Sequence, residues 1–172
     1  MNLTIISGSA RENSRTFAVA RRYFEVSLEA GFSSRLLDLR DFPVSLLAEM
    51  AQGIRRPEHP VSRDLGLSNS LLAFVVPEYN GSFPGMLKLF IDAVPQQLWK
   101  GKKAALLGLS SGRTGNIRGL EHLASVLNYL DITVLPKRIN IDQVAGFVQE
   151  GNFVSESFEQ RMRQQILLLK DF

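Results

Sequence analysis

An uninterrupted apolar stretch in the middle of the chain restricts its possible folds more than any other sequence feature. Residues 71–76 have the sequence Leu-Leu-Ala-Phe-Val-Val, a short run rich in residues that favour strands. A strand without polar alternation is buried on both of its faces, which is typical of parallel sheets that carry helices on both sides. The stretch therefore predicts an α/β protein.

Strand and helix patterns alternate along the rest of the chain. Five strands are predicted, at residues 3–6, 35–39, 71–76, 103–109 and 132–135. Helical patterns separate these strands. The connection over residues 40–60 is irregular except for a short helical stretch at 46–50, and a short helix is predicted at 61–68.

These alternating units predict the architecture of the fold. Strand-helix-strand units of this length form a parallel sheet with helices on both faces. Five such strands match the order 2-1-3-4-5, in which strands one, three and four are neighbours. Because 172 residues make a domain of ordinary size and no linker or repeat interrupts them, we expect a single domain over residues 1–172.

The loop after the first strand has the composition of an anion-binding site. Residues 7–16 have the sequence Ser-Gly-Ser-Ala-Arg-Glu-Asn-Ser-Arg-Thr and lead into a helix, whose N-terminus favours an anion. Ser9, Ser14 and Thr16 can donate hydroxyl hydrogens, and Arg11 can bind two phosphate oxygens at once. The loop lacks both the G-x-x-x-x-G-K-[ST] and the G-x-G-x-x-G patterns, so the expected anion is the phosphate monoester of a mononucleotide.

An ordinary helix cap is the alternative interpretation of this loop. Asn13 or Ser14 can cap the helix by accepting a hydrogen bond from an N–H group of its first turn. A cap accounts for one of these residues but not for Ser9 and Arg11 as well. The helix itself is expected to bury the side that carries Phe17, Ala20, Phe24 and Leu28.

The loop after the third strand indicates a planar ligand. Residues 77–82 (Pro-Glu-Tyr-Asn-Gly-Ser) supply an aromatic face, an amide and free backbone N–H groups, and Pro84 suits the first position of a helix. In an open parallel sheet, ligands bind just beyond the carboxyl ends of the strands. A turn stabilised by Asn80 and Gly81 is the alternative. Glu78 is expected to accept local N–H bonds and to have no role in proton transfer.

A third loop of small polar residues follows the fourth strand. Residues 110–116 have the sequence Ser-Ser-Gly-Arg-Thr-Gly-Asn and precede an amphipathic helix. In the order 2-1-3-4-5, the loops after strands one, three and four lie along one edge of the sheet. The sequence therefore predicts a single site to which all three loops contribute.

Two of these loops resemble a known family. The pattern G-S-x-R-x-x-S-x-T at residues 8–16 and the pattern P-E-Y-N-x-S-x-P-G-x-L-K at residues 77–88 resemble the NADPH-dependent FMN reductase family, which includes quinone, azo-dye and chromate reductases. The resemblance implies a flavodoxin-like fold, a three-layer sandwich, over essentially the whole chain. It also implies FMN as cofactor, NADPH or NADH as electron donor, and a flavin, a quinone or a similar small molecule as acceptor.

The resemblance also assigns the contacts to the cofactor. Those expected at the phosphate are Ser9, Arg11, Ser14 and Thr16. Those expected at the isoalloxazine ring are Pro77, Glu78, Tyr79, Asn80 and Ser82. Those expected in the third loop are Ser110, Ser111, Gly112 and Gly115. No catalytic side chain and no metal ligand is implied, because the flavin supplies the hydride chemistry.

Three positions depart from the family pattern. Thr16 and Leu89 each stand where the family commonly has Asn. The family often has paired glycines where this chain has Gly115 and Asn116, and the Cβ atom of Asn116 is expected to narrow the approach between ligand and backbone. Arg113 is expected to be a solvated loop residue, with attraction of the NADPH 2′-phosphate as the alternative.

A non-catalytic FMN-binding electron carrier or sensor is the alternative function. Carriers of the flavodoxin type are strongly acidic and have a phosphate loop rich in Thr and Ser. This chain instead has a net charge of +3, from 20 basic and 17 acidic residues. The charge balance therefore favours a reductase over a carrier.

The composition excludes several other classes of protein. The chain has no cysteine, which excludes disulfides and thiol catalysis, and its two histidines, His59 and His122, show no pattern of metal ligands. The small net charge gives no case for nucleic acid. No apolar stretch approaches the ~20 residues of a membrane span, and no signal-peptide pattern is present. We therefore expect a cytoplasmic protein, and the resemblance implies a homodimer or homotetramer.

Overall fold

A parallel sheet forms the centre of the molecule. The structure is a computed structural model that describes residues 1–54 and 71–172. Its sheet contains β1 (Asn2–Ser7), β2 (Ser33–Asp38), β3 (Leu71–Pro77), β4 (Lys103–Leu109), β5 (Thr133–Val134) and β6 (Ile139–Ile141). The strands are parallel and follow the order β2-β1-β3-β4-β5, which confirms the predicted order and the flavodoxin-like fold. The helix predicted at residues 61–68 lies outside the described residues.

Helices connect the strands and cover the sheet. The described helices are α1 (Arg15–Glu29), α2 (Val44–Ala51), α3 (Gly85–Ala93), α4 (Ile117–Tyr129) and α5 (Glu156–Asp171). Short 3₁₀ turns cover Leu39–Asp41, Gln96–Leu98 and Val144–Phe147, and an antiparallel hairpin joins β7 (Val148–Gln149) to β8 (Asn152–Phe153). Pro84 is the N-cap of α3 and not its first residue, because its backbone is extended. Among the helices in the described parts of the chain, none combines the length and the apolar character needed to cross a bilayer.

The core has two halves, one on each face of the sheet. Every residue of β3 is buried, as predicted for a strand that is covered on both sides. Phe74 packs into the cluster that includes Phe90 of α3, whereas Val75 packs into the cluster that includes Val19 of α1 and Ile166 of α5. Full burial of one such side chain stabilises the fold by about 1.5–3 kcal/mol. The loops at the strand ends are therefore held on a well-packed frame.

The buried side of α1 differs from the predicted one. Of the four predicted residues, Ala20 is buried, whereas Leu28 is 46% exposed and the two phenylalanines are half-buried. The helix instead turns Tyr23 inward, together with its neighbours at positions 19, 20 and 26. Tyr23 can be fully buried because its hydroxyl donates a hydrogen bond to Oε1 of Gln165, at 3.2 Å. Tyr23, which was not among the predicted buried residues of this helix, is thus part of the core.

The outer edge of β4 has two different partners. The first two residues of β4 pair with β5, and its last three residues pair with β6. Between these pairings, the buried Gln165 of α5 donates from Nε2 to the carbonyl oxygens of Leu106, at 3.1 Å, and Lys137, at 2.8 Å. The strand β6 was not predicted, and β5 covers only part of the strand predicted at residues 132–135.

Candidate functional site

The loops that follow β1, β3 and β4 meet at one edge of the sheet. We call residues 8–14 the first loop, residues 78–84 the second loop and residues 110–116 the third loop. They surround a cleft of about 330 Å³, near the lower end of the size range of small-molecule sites. The cleft is lined by Arg11, Asn13, Ser14, Arg15, Thr16, Pro77, Glu78, Tyr79, Asn80, Leu109, Ser110, Ser111 and Val144.

The first loop leads into α1, whose N-terminus lies at the cleft. Ser14 is the N-cap of α1, and its Oγ accepts a hydrogen bond from the N–H group of Thr16 at 3.1 Å. Gly8 donates from its N–H group to the carbonyl oxygen of Val75, at 2.8 Å, which ties the loop to β3. A Cβ atom on Gly8 would lie only 3.0 Å from that oxygen, so this close approach favours glycine. The N–H group of Phe17 donates to the carbonyl oxygen of Ser14 at 3.1 Å, whereas that of Arg15 has no acceptor among the described residues.

Arg11 places a positive charge beside this helix terminus. Its guanidinium stacks on the ring of Tyr79, 4.1 Å from the ring centroid. The Tyr79 hydroxyl is hydrogen-bonded to Oγ of Ser9 at 2.9 Å, and Ser9 is fully buried. Among the ion pairs between described residues, none includes Arg11. Within the described part of the chain no carboxylate therefore neutralises this charge and, with the helix dipole, it favours an anion in the cleft.

The second loop is a tight turn. The N–H groups of Tyr79 and Ser82 each donate to the other residue's carbonyl oxygen, at 2.8 and 3.0 Å. Asn80 and Gly81 lie between them with φ angles of 51° and 75°, which is the geometry of a type I′ turn and explains the Asn-Gly pair. The turn leaves the N–H groups of Asn80 and Gly81 without an acceptor among the described residues. Ser82 lies outside the cleft.

The polar groups of the third loop form hydrogen bonds within the loop. Oγ of Ser110 donates to the carbonyl oxygen of Gly112 at 2.9 Å and accepts from the N–H group of Gly115 at 3.0 Å. The carbonyl oxygen of Gly115 in turn accepts from Nδ2 of Asn140 at 2.9 Å. The loop is also joined to the second loop, because Oγ1 of Thr114 donates to Oε2 of Glu78 at 2.6 Å. Glu78 thus accepts a local hydrogen bond, but from a side chain and not from the expected N–H group.

Asn116 is the last residue of the third loop and the N-cap of α4. Its side chain is fully buried, and its Nδ2 donates to the carbonyl oxygen of Val76 at 2.9 Å. Its φ angle of 66° is in the left-handed region, which asparagine tolerates better than most residues. Asn116 packs against β3 and is not among the residues that line the cleft, and the expected narrowing between ligand and backbone stays a prediction.

A family model matches the part of the chain that contains all three loops. The family model described as NADPH-dependent FMN reductase matches residues 1–146 of the chain. The chain belongs to the NADPH-dependent FMN reductase family. Membership confirms the predicted class, an oxidoreductase that uses FMN together with a reduced nicotinamide nucleotide.

Several known proteins and solved structures are similar to this chain. An NAD(P)H-dependent FMN reductase from Pseudomonas aeruginosa is 32% identical, with coverage of 96% of this chain and 91% of the relative. A 2-hydroxy-1,4-benzoquinone reductase from a Burkholderia species is 28% identical, covering 91% and 87% of the two chains. The flavoenzyme NAD(P)H:(acceptor) oxidoreductase FerB from Paracoccus denitrificans shares the fold, with a TM-score of 0.75, 24% identity, and coverage of 99% and 95%.

The residues around the cleft fit the cofactor of an FMN reductase. The phosphate of FMN is an anion, and Arg11 stands beside the α1 N-terminus with no carboxylate partner among the described residues. The isoalloxazine ring has carbonyl and nitrogen acceptors, and Asn80, whose N–H group has no acceptor among the described residues, lines the cleft. The donor set therefore has the chemistry that FMN requires at both of its ends.

The structure brings most of the predicted contact residues together. Nine of them line the cleft, namely Arg11, Ser14, Thr16, Pro77, Glu78, Tyr79, Asn80, Ser110 and Ser111. Four others, Ser9, Ser82, Gly112 and Gly115, do not line it. Contact with FMN stays a prediction for each of them.

Four lining residues were not among the predicted contacts: Asn13, Arg15, Leu109 and Val144. Asn13 and Arg15 flank the predicted residue Ser14, so their positions in the sequence were a usable signal. Leu109 ends β4, and the end of a strand was a usable signal as well. Val144 follows β6, and no sequence pattern indicated that strand.

Proposed function

We propose that this protein is an NAD(P)H-dependent FMN oxidoreductase that reduces a quinone, a flavin or a similar small acceptor. When bound, FMN supplies the hydride chemistry that connects the nicotinamide to the acceptor. The observation that supports the proposal best is the shared cleft. Its wall contains Arg11, beside a helix N-terminus, and the turn at Asn80, whose charge and N–H groups have no partner in the described residues 1–54 and 71–172.

The first loop is proposed to hold the phosphate. Arg11 can bind two phosphate oxygens with its planar guanidinium, and Ser14 and Thr16 lie at the start of α1 beside the free N–H groups. Thr16 is only 2% exposed, so it can offer at most its outermost atoms. We therefore assign the strongest phosphate contact to Arg11.

The second loop is proposed to face the ring. The N–H group of Tyr79 is engaged by the carbonyl oxygen of Ser82, so it is not available to a ligand. The N–H group of Asn80 is available, and a fixed backbone donor can stabilise negative charge that develops on a bound ring. Asn80 is thus the proposed ring donor, while Pro77, Glu78 and Tyr79 shape the wall beside it.

The predicted residues outside the cleft are proposed to support this site. Ser9 fixes the Tyr79 hydroxyl, and Ser82 is bonded to Nδ1 of His122 at 2.9 Å. Gly112 and Gly115 are parts of the closed hydrogen-bond system of the third loop. Their role is to fix the walls of the cleft, whereas Ser110 and Ser111 contribute to its surface.

The acceptor, the assembly and the location belong to the same proposal. The similarity to a benzoquinone reductase supports a quinone as acceptor. We further propose a homo-oligomer, in line with the resemblance, and a cytoplasmic location, in line with the composition. Cross-linking or sedimentation of the purified protein tests the assembly.

Rapid mixing tests the activity directly. The protein is loaded with FMN, freed of oxygen, and mixed with NADPH or NADH while the visible absorbance of the flavin is followed. A reductase loses this absorbance and regains it when benzoquinone is added, whereas a carrier stays oxidised. Failure to bind FMN at high micromolar concentration would overturn the whole proposal.

A further inference from the structure

We propose that Arg40 is a positioning residue that orients the first loop for phosphate binding without contacting the phosphate itself. The inference deepens the proposed function and rests on it, because it presumes that the first loop holds the phosphate of FMN. Arg40 lies at the turn after β2 and does not line the cleft.

Arg40 is held in place by a buried carboxylate. Asp38, only 6% exposed, accepts a hydrogen bond from Nε of Arg40 at 2.6 Å and another from its backbone N–H group at 3.1 Å. A further ion pair joins Nη2 of Arg40 to the same carboxylate. The charge of Arg40 is thus neutralised within the protein, in contrast to that of Arg11.

The remaining donor of Arg40 fixes a peptide group of the first loop. Its Nη1 donates to the carbonyl oxygen of Glu12 at 3.0 Å. In a trans peptide the C=O group of one residue and the N–H group of the next point in opposite directions. The N–H group of Asn13 must therefore point away from Arg40. Asn13 lines the cleft, and among the described residues none accepts a hydrogen bond from its N–H group.

Arg40 also contacts the first turn of α1. Its guanidinium stacks on the ring of Phe17, 4.1 Å from the ring centroid. Arg40 thus holds the chain on both sides of the N-cap Ser14, at Glu12 before it and at Phe17 after it. These two contacts set the angle at which the chain enters the helix, and with it the direction of the free N–H groups.

This arrangement separates two arginines by role. Arg11 offers a free guanidinium to the cleft, whereas all three nitrogen groups of the Arg40 side chain are engaged by Asp38 and Glu12. Loss of Arg40 should therefore weaken the binding of a phosphate, because the N–H groups of the first loop would no longer point towards it. It should leave contacts to the flavin ring almost unchanged.

A comparison of FMN with riboflavin tests the inference, because riboflavin lacks the phosphate. We expect Arg40→Met to weaken FMN binding about tenfold, the effect of one poorly aligned charge-assisted hydrogen bond, and riboflavin binding less than about twofold. The rate of NADPH oxidation at saturating FMN should stay near that of the wild type. Arg22→Met is the matched control, since Arg22 of α1 is similarly exposed and ion-paired but makes no contact with the first loop.

Arg40→Met leaves the buried carboxylate of Asp38 unpaired, which destabilises the fold. The double variant Asp38→Asn with Arg40→Met removes that charge and should show the same loss of selectivity for FMN over riboflavin. An unchanged ratio of the two affinities in both variants would overturn the inference while the proposed function stands. A wild-type protein that binds neither flavin would overturn both.

Discussion

The first and third loops look alike in sequence but use their polar groups in opposite ways. Both follow a strand end, and both consist mainly of small polar residues. In the first loop, Arg11 has no carboxylate partner and the N–H group of Asn13 has no acceptor among the described residues. In the third loop, Ser110 and Gly115 are bonded to other groups of the protein.

The difference shows that small polar residues can serve either a ligand or the loop itself. The third loop approaches β4 so closely that a Cβ atom on Gly108 would lie 2.4 Å from the carbonyl oxygen of Gly115. Such a loop needs small residues for packing, whether or not a ligand is present. The first loop has one comparable approach, at Gly8. Its residues Arg11, Asn13 and Ser14 line the cleft, whereas Ser9 bonds to Tyr79.

The largest effect is expected beneath the third loop. Gly108→Ala should destabilise the apo-protein by about 3 kcal/mol, because the added methyl group meets a backbone oxygen that cannot move alone. Urea unfolding of the purified protein measures this change. Gly112→Ala is the control, since nothing lies within 4 Å of a Cβ atom there, and its effect should stay within about 1 kcal/mol. Equal stabilities of the two variants would contradict the packed loop.

The next largest effect is expected in the first loop. Arg11→Ala should weaken FMN binding about a hundredfold, equivalent to about 2.7 kcal/mol, because the phosphate loses a forked, charge-assisted partner. Quenching of flavin fluorescence gives the dissociation constant. Arg113→Ala, in the third loop, removes an exposed arginine that does not line the cleft and should change the affinity less than about threefold. If the Arg11 variant binds FMN as tightly as the parent protein, the first loop does not bind the phosphate more strongly than the third loop does.

A buried side chain of the third loop should affect stability more than binding. Asn116→Ala should cost about 2 kcal/mol, because it removes the hydrogen bond to Val76 and forces alanine into the left-handed region. The FMN affinity of the folded protein should change less than about threefold. Thermal unfolding with and without FMN separates the two effects. Ser111→Ala, on the cleft surface, should leave the melting temperature unchanged. A larger loss of stability in the Ser111 variant than in the Asn116 variant would contradict the structural role of Asn116.

The smallest effect is expected at the start of α1. Ser14→Ala should lower stability by about 1 kcal/mol through the loss of the N-cap hydrogen bond, and it should weaken FMN binding modestly. Ser155→Ala is the matched control, because Ser155 is the N-cap of α5 but makes no side-chain capping bond. Chemical denaturation of both variants, side by side, measures the difference. A greater loss from the Ser155 variant would show that capping does not explain the role of Ser14.

Most of the sheet could be predicted from the sequence because its central strands are long and continuously apolar. The bounds of β4 match the predicted 103–109, and β3 extends the predicted 71–76 by one residue. The three residues of β6 are too few to show a period, and they form a strand only because the end of β4 lies beside them. The buried side of α1 was missed because Tyr23 depends on Gln165, a residue 142 positions away.

The location of the site was predictable, whereas the use of its residues was not. The strand order alone places the three loops on one edge, and the cleft is there. Composition cannot show whether a hydroxyl such as that of Ser9 faces a ligand or another side chain, because that depends on distances across the fold. In this chain Ser9 bonds to Tyr79, and apart from the Arg11 side chain the donors proposed for a ligand are mainly backbone groups, which every sequence contains.

The buried amide of Gln165 has a consequence for the boundaries of the enzyme. It takes the place of a peptide group between β5 and β6, so the strand edge can change partners without leaving the carbonyl oxygens of Leu106 and Lys137 unpaired. The family match ends at residue 146, before α5 begins. Trimming the chain to the matched segment would therefore remove α5, and with it the hydrogen bonds of Gln165 to Leu106 and Lys137 and the side chains that α5 buries in the core. We expect the shortened protein to lose the support for β4, the strand whose end borders the cleft.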